Sequence, residues 1–371
     1  MSASWDSAWV VDRAKALGFD LCGIVRPQQF PELDKFGEWL ERGFAGEMAY
    51  LHDPRRADPE QLMPSTRSVI VCALNYNTAH PYSTEAAAHA PKANDAPRGW
   101  ISRYAWGDDY HEMMWEKLNT LAIALKQRFA QPFTARAYAD TGPIAERVLA
   151  KHAGLGWLGK NTLLLNEIHG SWLFLGVIVT SLELTPSLEP TESAPPDLCG
   201  NCRQCLDACP TGALVDAYVM DARKCISYLT IELRGSIPED LRERVGWQVY
   251  GCDICQDVCP YNRNAPVTSF SEFQPRRMNS HATLLEPSVE WLAGLDEHEF
   301  RSYFRNSAAK RTKWAGMVRN ACIVLGNTGA AKSGPVRQRV AHLLKQLAES
   351  RISTIAESAQ WALSRIQQKL G

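Results

Sequence analysis

The residues with the plainest chemistry are cysteines. Cys199, Cys202, Cys205 and Cys209 follow the spacing Cys-x2-Cys-x2-Cys-x3-Cys, with Pro210 next. This is the bacterial ferredoxin run, in which three thiolates face one iron–sulfur cubane and the fourth faces a second. A second run is therefore expected, and Cys252, Cys255 and Cys259 with Pro260 supply its last three positions. Val249 stands where its first cysteine would fall, so another thiolate must complete the second cluster, and Cys225 is the available donor. Crossed ligation assigns Cys199, Cys202, Cys205 and Cys259 to one [4Fe-4S] cluster and Cys209, Cys225, Cys252 and Cys255 to the other. Paired zinc sites are the competing reading, but zinc gives no reason for the full Cys-Pro string. A [3Fe-4S] second cluster, with Cys225 merely packed nearby, is a smaller variation. Cys22, Cys72 and Cys322 stand singly in apolar runs and read as buried structural thiols.

Eleven cysteines in a chain without a leader pattern fit a cytoplasmic protein, where thiols stay reduced and serve metals more often than disulfides. No run of about eighteen apolar residues suggests a membrane span. The formal net charge of −1 excludes a globally basic nucleic-acid binder, yet the charge is unevenly spread. From Arg301 to Lys345 no acidic residue interrupts Arg301, Arg305, Lys310, Arg311, Lys313, Arg319, Lys332, Arg337, Arg339 and Lys345. Such a one-sign stretch can neutralise nucleic-acid phosphates, while a solvated helical surface balanced by acids elsewhere would look the same.

The elements that must position these groups follow from periodicity. An amphipathic helix is expected over Trp9 to Leu17 and a long one over Tyr110 to Phe129, with strands at Leu21–Val25, Ser68–Leu74, Thr134–Ala139, Thr162–Leu165 and Trp172–Ser181. Asn77 to Arg98 reads as a long surface loop, and Thr185 to Asp197 as an extended Pro-rich connector. Beyond Asn264 the pattern is helical, at Ser288–Leu295, Arg311–Leu325, Val336–Glu349 and Ile352–Leu370, the last three suggesting stacked repeats. Residues 1–184 thus form an α/β (α+β) domain, 185–265 a ferredoxin-like two-cluster module, and 266–371 an all-α helical-repeat (HEAT-like) domain. Two clusters make a one-electron wire that needs a terminus, so the catalytic group must lie in the first domain or be a further cofactor.

The strings SRYAWGDDYH (Ser102 to His111), DTGPIAERVLAKHAGLGWLGKNTLLL (Asp140 to Leu165) and CISYLTIELRG (Cys225 to Gly235), with the cysteine runs, closely resemble the epoxyqueuosine reductases across essentially the whole chain. The resemblance implies a cobalamin-binding first domain, an architecture like that of reductive dehalogenases, and reduction of epoxyqueuosine to queuosine at the wobble position of tRNA. It makes Asp140 the proton donor, although Asp140 or Thr141 ahead of Pro143 is also an ordinary helix N-cap. For that role burial beside the corrin should raise its pKa. Cobalamin contacts implied in the same way are Arg56, Ser102, Asp140, Leu164, Leu175, Ser227 and the Asp253–Ile254 backbone. Leu164 and Leu175 could equally be plain core. Some relatives carry cysteine where Ser102 stands, so a thiol role there is excluded. His111 lacks the Asp-x-His-x-x-Gly context of a cobalt ligand and reads as a helix-start or pocket residue. The implied partners are tRNA carrying epoxyqueuosine and a donor protein or reductant, with the enzyme acting as a monomer and without a membrane. A small-molecule reductive dehalogenase is the alternative; the absent leader and the basic tail argue against it.

Overall fold

The computed structural model describes residues 4–86, 96–188, 194–278, 283–328 and 334–368. At its centre lies a four-stranded sheet built from β1 (Leu21–Val25), β2 (Ser68–Asn75), β3 (Ala135–Tyr138) and β4 (Leu173–Thr180). The strand order is β1-β2-β4-β3 and every pairing in this sheet is antiparallel. Four of the five expected strands form this sheet, while of Thr162–Leu165 only Leu164–Leu165 is extended, paired with Trp157–Leu158 outside it. A local turn after β3 places Asp140.

β2, of sequence SVIVCALN, is buried along its whole length because both faces are covered. Ile70, Cys72 and Leu74 join one apolar cluster, Val69, Val71 and Ala73 the other, as period-two geometry requires. On the first face lie α1 (Ser4–Ala16) and α2 (Tyr110–Arg128), whose Met114, Leu118, Leu121 and Leu125 repeat at helical spacing. Gly176 of β4 allows the close approach of α2, since a Cβ there would stand 2.6 Å from the Met114 methyl. On the second face lies α3 (Glu146–His152) with Leu149 and Ala150. Cys22 and Cys72 are not isolated as expected: they face each other across β1 and β2 with sulfurs 3.8 Å apart.

Two expected connectors are better ordered than their composition suggests. Asn77 and Thr78 are buried; the Asn77 amide donates to the Ala265 carbonyl at 3.0 Å, and Thr78, His80 and Pro81 carbonyls receive the buried Arg103 guanidinium. Polar side chains without periodicity were thus spent on satisfying buried backbone, while residues 87–95 lie outside the described residues. In the later connector, Ser187 exchanges hydrogen bonds with the Ile24 backbone at 2.8 Å before residues 189–193, also outside the described residues.

The C-terminal part is helical, with α4 (Lys313–Thr328), α5 (Pro335–Ala348) and α6 (Ser353–Gln368), and α6 packs against both of the others. The apolar cluster on the first sheet face continues through Val318, Val324, Val340, Ile355 and Ile366, so the helices and the sheet share packed surface. No helix among the described residues is long and apolar enough to cross a membrane.

Candidate active site and cluster framework

The cysteine segment forms two short helices, Gln204–Ala208 and Ile254–Asp257, packed on each other. Cys199, Cys202, Cys205 and Cys259 line one pocket, whose wall is completed by Lys160; its ammonium donates to the Gly200 and Cys202 carbonyls at 2.5 and 3.0 Å. Cys209, Cys225, Cys252 and Cys255 form the other set. Burial, then the charges of Cys225, Cys209 and Cys205, push the Cys255 thiol well up, and Cys252 responds in the same way to Cys255 and Cys225. Burial and the neighbouring thiolates of its own set likewise raise Cys259 to about 11. Crowded thiols resist ionisation until a cation compensates them, which is what iron in a cubane does. The four-thiol walls do not converge on a point: among the described residues no group is placed to hold a single ion.

Val249, the position of the absent cysteine, is fully buried, and its methyl would lie 2.4 Å from a Cβ at Gly99. Cys225 instead is placed toward the second set, with the Ser227 and Tyr228 backbone N–H groups donating to its sulfur. That gives Ser227 a concrete place beside a thiol. Ser102 and Asp253 are both buried, and the Ser102 hydroxyl donates to the Asp253 carboxylate, which also accepts from Trp100 Nε1 at 3.2 Å and Arg103 N–H at 2.7 Å. Their side chains are therefore spent on one another, leaving backbone for any cofactor.

Asp140 follows β3 in the left-handed region, φ 56°, and is not a helix cap: α3 begins only at Glu146, after Ala145. Its side chain is 59% exposed and faces His111 of α2, whose Nε2 is 3.4 Å from Asp140 Oδ2. The His111 Nδ1 is 2.6 Å from Asp109 Oδ1, and Asp109 Oδ2 accepts from Lys310 Nζ at 2.7 Å. Asp109 is also the N-cap of α2, accepting the His111 N–H at 3.2 Å, so one carboxylate both starts the helix and orients the ring. Tyr110 stacks on His111 and on Phe174 and hydrogen-bonds Asp140.

These contacts set the charges. Burial opposes the His111 imidazolium, but the hydrogen bonds and charges of Asp109 and Asp140 win and bring its pKa up to about 9. Burial works to raise Asp140, yet the His111 hydrogen bond and charge, the Tyr110 hydroxyl and the Arg311 charge hold it below the usual carboxylate value. In the protein alone Asp140 is thus lowered, opposite in direction to the rise expected from burial beside a corrin, because the sequence could not place His111 against it. At neutral pH the proton of the pair rests on the imidazole. Burial and the Asp140 charge push Glu146 in the opposite direction, up to about 8. His111 as partner, Tyr110 and Glu146 are the groups sequence reasoning missed; only Glu146, six residues after Asp140, lies near enough in sequence to have been suspected.

Beside Asp140 the second sheet face runs out into partly exposed apolar side chains, Tyr138, Leu158, Leu173 and Leu175, while Leu164 is buried among them. Leu164 and Leu175 thus share one surface, the former as core and the latter at its open edge. A broad apolar macrocycle suits such a floor, with Arg56 and the thiol-flanking backbone to meet its polar rim. Arg56 itself donates to the Tyr50 carbonyl at 3.1 Å.

The basic stretch divides. Arg319 is 1% exposed and donates to the Leu229, Leu233 and Gly235 carbonyls at 2.6, 2.8 and 2.5 Å, so it braces backbone and faces no solvent. Arg301, Lys310, Arg311 and Arg339 pair with Glu297, Asp109, Glu232 and Glu290, acids from outside the stretch, and Arg337 donates to the Ile366 carbonyl. Arg305, Lys313 and Lys345 are exposed with no ion-pair partner among the described residues; Lys332 lies outside them.

Two four-thiol sets in one chain with an acid–imidazole pair on the sheet domain point to a double-cluster iron–sulfur oxidoreductase. The family model described as "4Fe-4S double cluster binding domain" matches residues 198–262, and that described as "Epoxyqueuosine reductase QueG, DUF1730" matches residues 56–141. The chain belongs to the epoxyqueuosine reductase family. It is 42% identical to the epoxyqueuosine reductase of Gloeobacter violaceus over 87% of this chain and 97% of that one. Against that of Pseudomonas aeruginosa it is 37% identical over 96% of this chain and 93% of the other. Among solved structures, an epoxyqueuosine reductase crystallised with a tRNA-Tyr epoxyqueuosine-modified stem loop superposes with a TM-score of 0.84 at 27% identity, covering 98% of this chain and 91% of that one. An epoxyqueuosine reductase from Bacillus subtilis, described with its catalytic aspartate loop swung out of the active site, gives 0.79 at 25% identity, covering 98% of this chain and all of that one.

Proposed function

We propose that this protein reduces epoxyqueuosine to queuosine at the wobble position of tRNA, in the cytoplasm and as a monomer, with bound cobalamin served by the two [4Fe-4S] clusters. The observation that carries the reading is the His111–Asp140 pair, a protonated imidazole 3.4 Å from a solvent-facing carboxylate at the end of the sheet. The relative solved with an epoxyqueuosine-modified stem loop supports the substrate. Removing the epoxide oxygen as water consumes two electrons and two protons. When bound, cobalamin supplies a reducing cobalt centre that single electrons can refill. Arg56, Leu164, Leu175, Ser227, Asp140 and the backbone at Ser102, Asp253 and Ile254 would hold it.

The chain's own residues handle protons. As negative charge grows on the epoxide oxygen, the His111 imidazolium passes its proton to the Asp140 carboxylate, which relays it to that oxygen, and the second proton is taken up from solvent. Asp109 keeps the ring oriented and protonated, and Lys310 balances the Asp109 charge. The ligand sets are Cys199, Cys202, Cys205 and Cys259 for the outer cluster, and Cys209, Cys225, Cys252 and Cys255 for the inner one. A donor protein or reductant loads the outer cluster. Residues 1–184, 185–265 and 266–371 act as cobalamin, cluster and tRNA-holding parts, the last a HEAT-like stack whose unpaired Arg305, Lys313 and Lys345 meet phosphates.

The test is anaerobic incubation of cluster-loaded protein with cobalamin, a reductant and tRNA containing epoxyqueuosine, followed by nucleoside mass spectrometry. Queuosine is expected. Its absence under conditions where both clusters reduce would overturn the reading.

A further inference from the structure

Glu146 opens α3, and its side chain turns back so that Oε1 accepts the Asp140 N–H at 2.8 Å. The loop between them is held by little else. Thr141 N–H reaches the Ala139 carbonyl at 2.6 Å and Ile144 N–H the Gly142 carbonyl at 2.9 Å. Tyr138 lies over Gly142, where an added Cβ would stand 2.6 Å from the ring. Asp140 itself is in the left-handed region, a conformation disfavoured for L-residues that lasts only where its surroundings enforce it. Its side chain reaches His111 and Tyr110 of α2, and its amide bond to Glu146 is the backbone contact that ties the strained residue to α3.

We propose that Glu146 is the positioning residue that keeps the Asp140 loop turned into the pocket, and that ionisation of the Glu146 carboxyl loosens this hold. The proposal rests on the reading of Asp140 as the proton donor. The charged and titratable groups facing Glu146 are Asp140 on the loop, His111 and Tyr110 on α2, Arg56 on the turn Pro54–Ala57, and the adjacent Arg147. An ionised Glu146 would make a stronger bond to the amide, but it would share a confined space with the Asp140 carboxylate. Burial and that repulsion outweigh the amide bond, Arg56 and His111, and leave the carboxyl protonated up to about pH 8.

The sign follows from linkage. Glu146 is raised in the closed loop above its ordinary value of 4.5, so its contribution to closure is complete below that value and is lost as pH rises through about 8. His111 acts with the same sign, through about 9. Asp140, which is lowered, acts with the opposite sign and only in acid. Substitution separates Glu146 from His111: Glu146→Gln keeps a carbonyl acceptor that cannot ionise, and Glu146→Ala removes the acceptor.

Hydrogen exchange of the 139–145 segment, read by mass spectrometry in the full-length, cluster-loaded protein at about pH 6.5 and about pH 8.5, tests this without substrate. After correction for the intrinsic pH dependence of exchange, wild type should open several-fold more at the higher pH. Glu146→Ala should exchange fast at both, and Glu146→Gln should show a smaller pH effect than wild type. In turnover, Glu146→Ala should lose about 10- to 100-fold in kcat with cobalamin affinity kept, and Glu146→Gln should recover most of that loss at the lower pH. Slow exchange in Glu146→Ala, or a full wild-type pH effect in Glu146→Gln, overturns the latch. Full turnover by Asp140→Asn would instead overturn the donor reading, whatever the exchange data show.

Discussion

His111 Nε2 stands 3.4 Å from Asp140 Oδ2 while its other nitrogen is 2.6 Å from Asp109, so one imidazole links a buried capping carboxylate to an exposed one. The two carboxylates hold the ring as a cation at neutral pH, with Asp109 the stronger partner by distance and burial.

Replacing His111 by Gln should therefore lower kcat by about 100-fold or more, in the range of general acid–base effects, while iron content and cobalamin binding stay at wild-type levels. Because His111 is raised above its ordinary 6.5 to about 9, the His111–Asp140 attraction is complete below the first value and lost as pH rises through the second. Activity should fall on that alkaline side. In Asp109→Asn the fall should begin at lower pH, since the largest cause raising His111 is gone. An unmoved alkaline limb in Asp109→Asn would show that another group sets it.

Asp140→Asn keeps the shape of the loop but cannot deliver a proton. Both clusters and cobalamin should bind normally and single-turnover queuosine formation should drop by about 100-fold or more. Near-normal turnover would remove Asp140 from the chemistry.

Cys225→Ala should reduce bound iron toward half and leave the spectrum of one intact [4Fe-4S] cluster, because Val249 is packed in the core and supplies no thiolate. Iron analysis and electron paramagnetic resonance of the dithionite-reduced protein read this directly. Two unchanged clusters would mean that a different ligand completes the second set.

Arg319 and Arg305 should part company although both belong to the basic stretch. Arg319→Leu leaves the Leu229, Leu233 and Gly235 carbonyls without their donor inside the protein, costing about 2 to 4 kcal/mol and lowering Tm. Arg305→Ala combined with Lys313→Ala should leave Tm within about a degree and weaken tRNA stem-loop binding with a shallower salt dependence. Equal effects of the two changes on RNA binding at matched stability would contradict this division.

Local spacing alone made the cysteine runs legible as a double-cluster framework, because a cubane's ligands are set by tight turns a few residues long. Most strand and helix cores were legible from their apolar periods, although the first helix begins at Ser4 and only Leu164–Leu165 of the strand expected over Thr162–Leu165 forms. The motif strings also carried the family. What spacing could not contain was decided by tertiary structure. The strand directions were among these, since β2 is apolar on both faces and reads alike in either orientation. Asn77 and Arg103 turned a stretch read as surface into buried support. Acids distant in sequence paired Lys310, Arg311 and Arg339 of the basic run, and burial took Arg319 out of it. Above all, the ionisation of Asp140 depends on His111, 29 residues away on a helix that packs across the sheet. Charge interactions act through space over a few ångströms, so the motif strings could single out Asp140 while the fold alone determined where the proton of the His111–Asp140 pair resides.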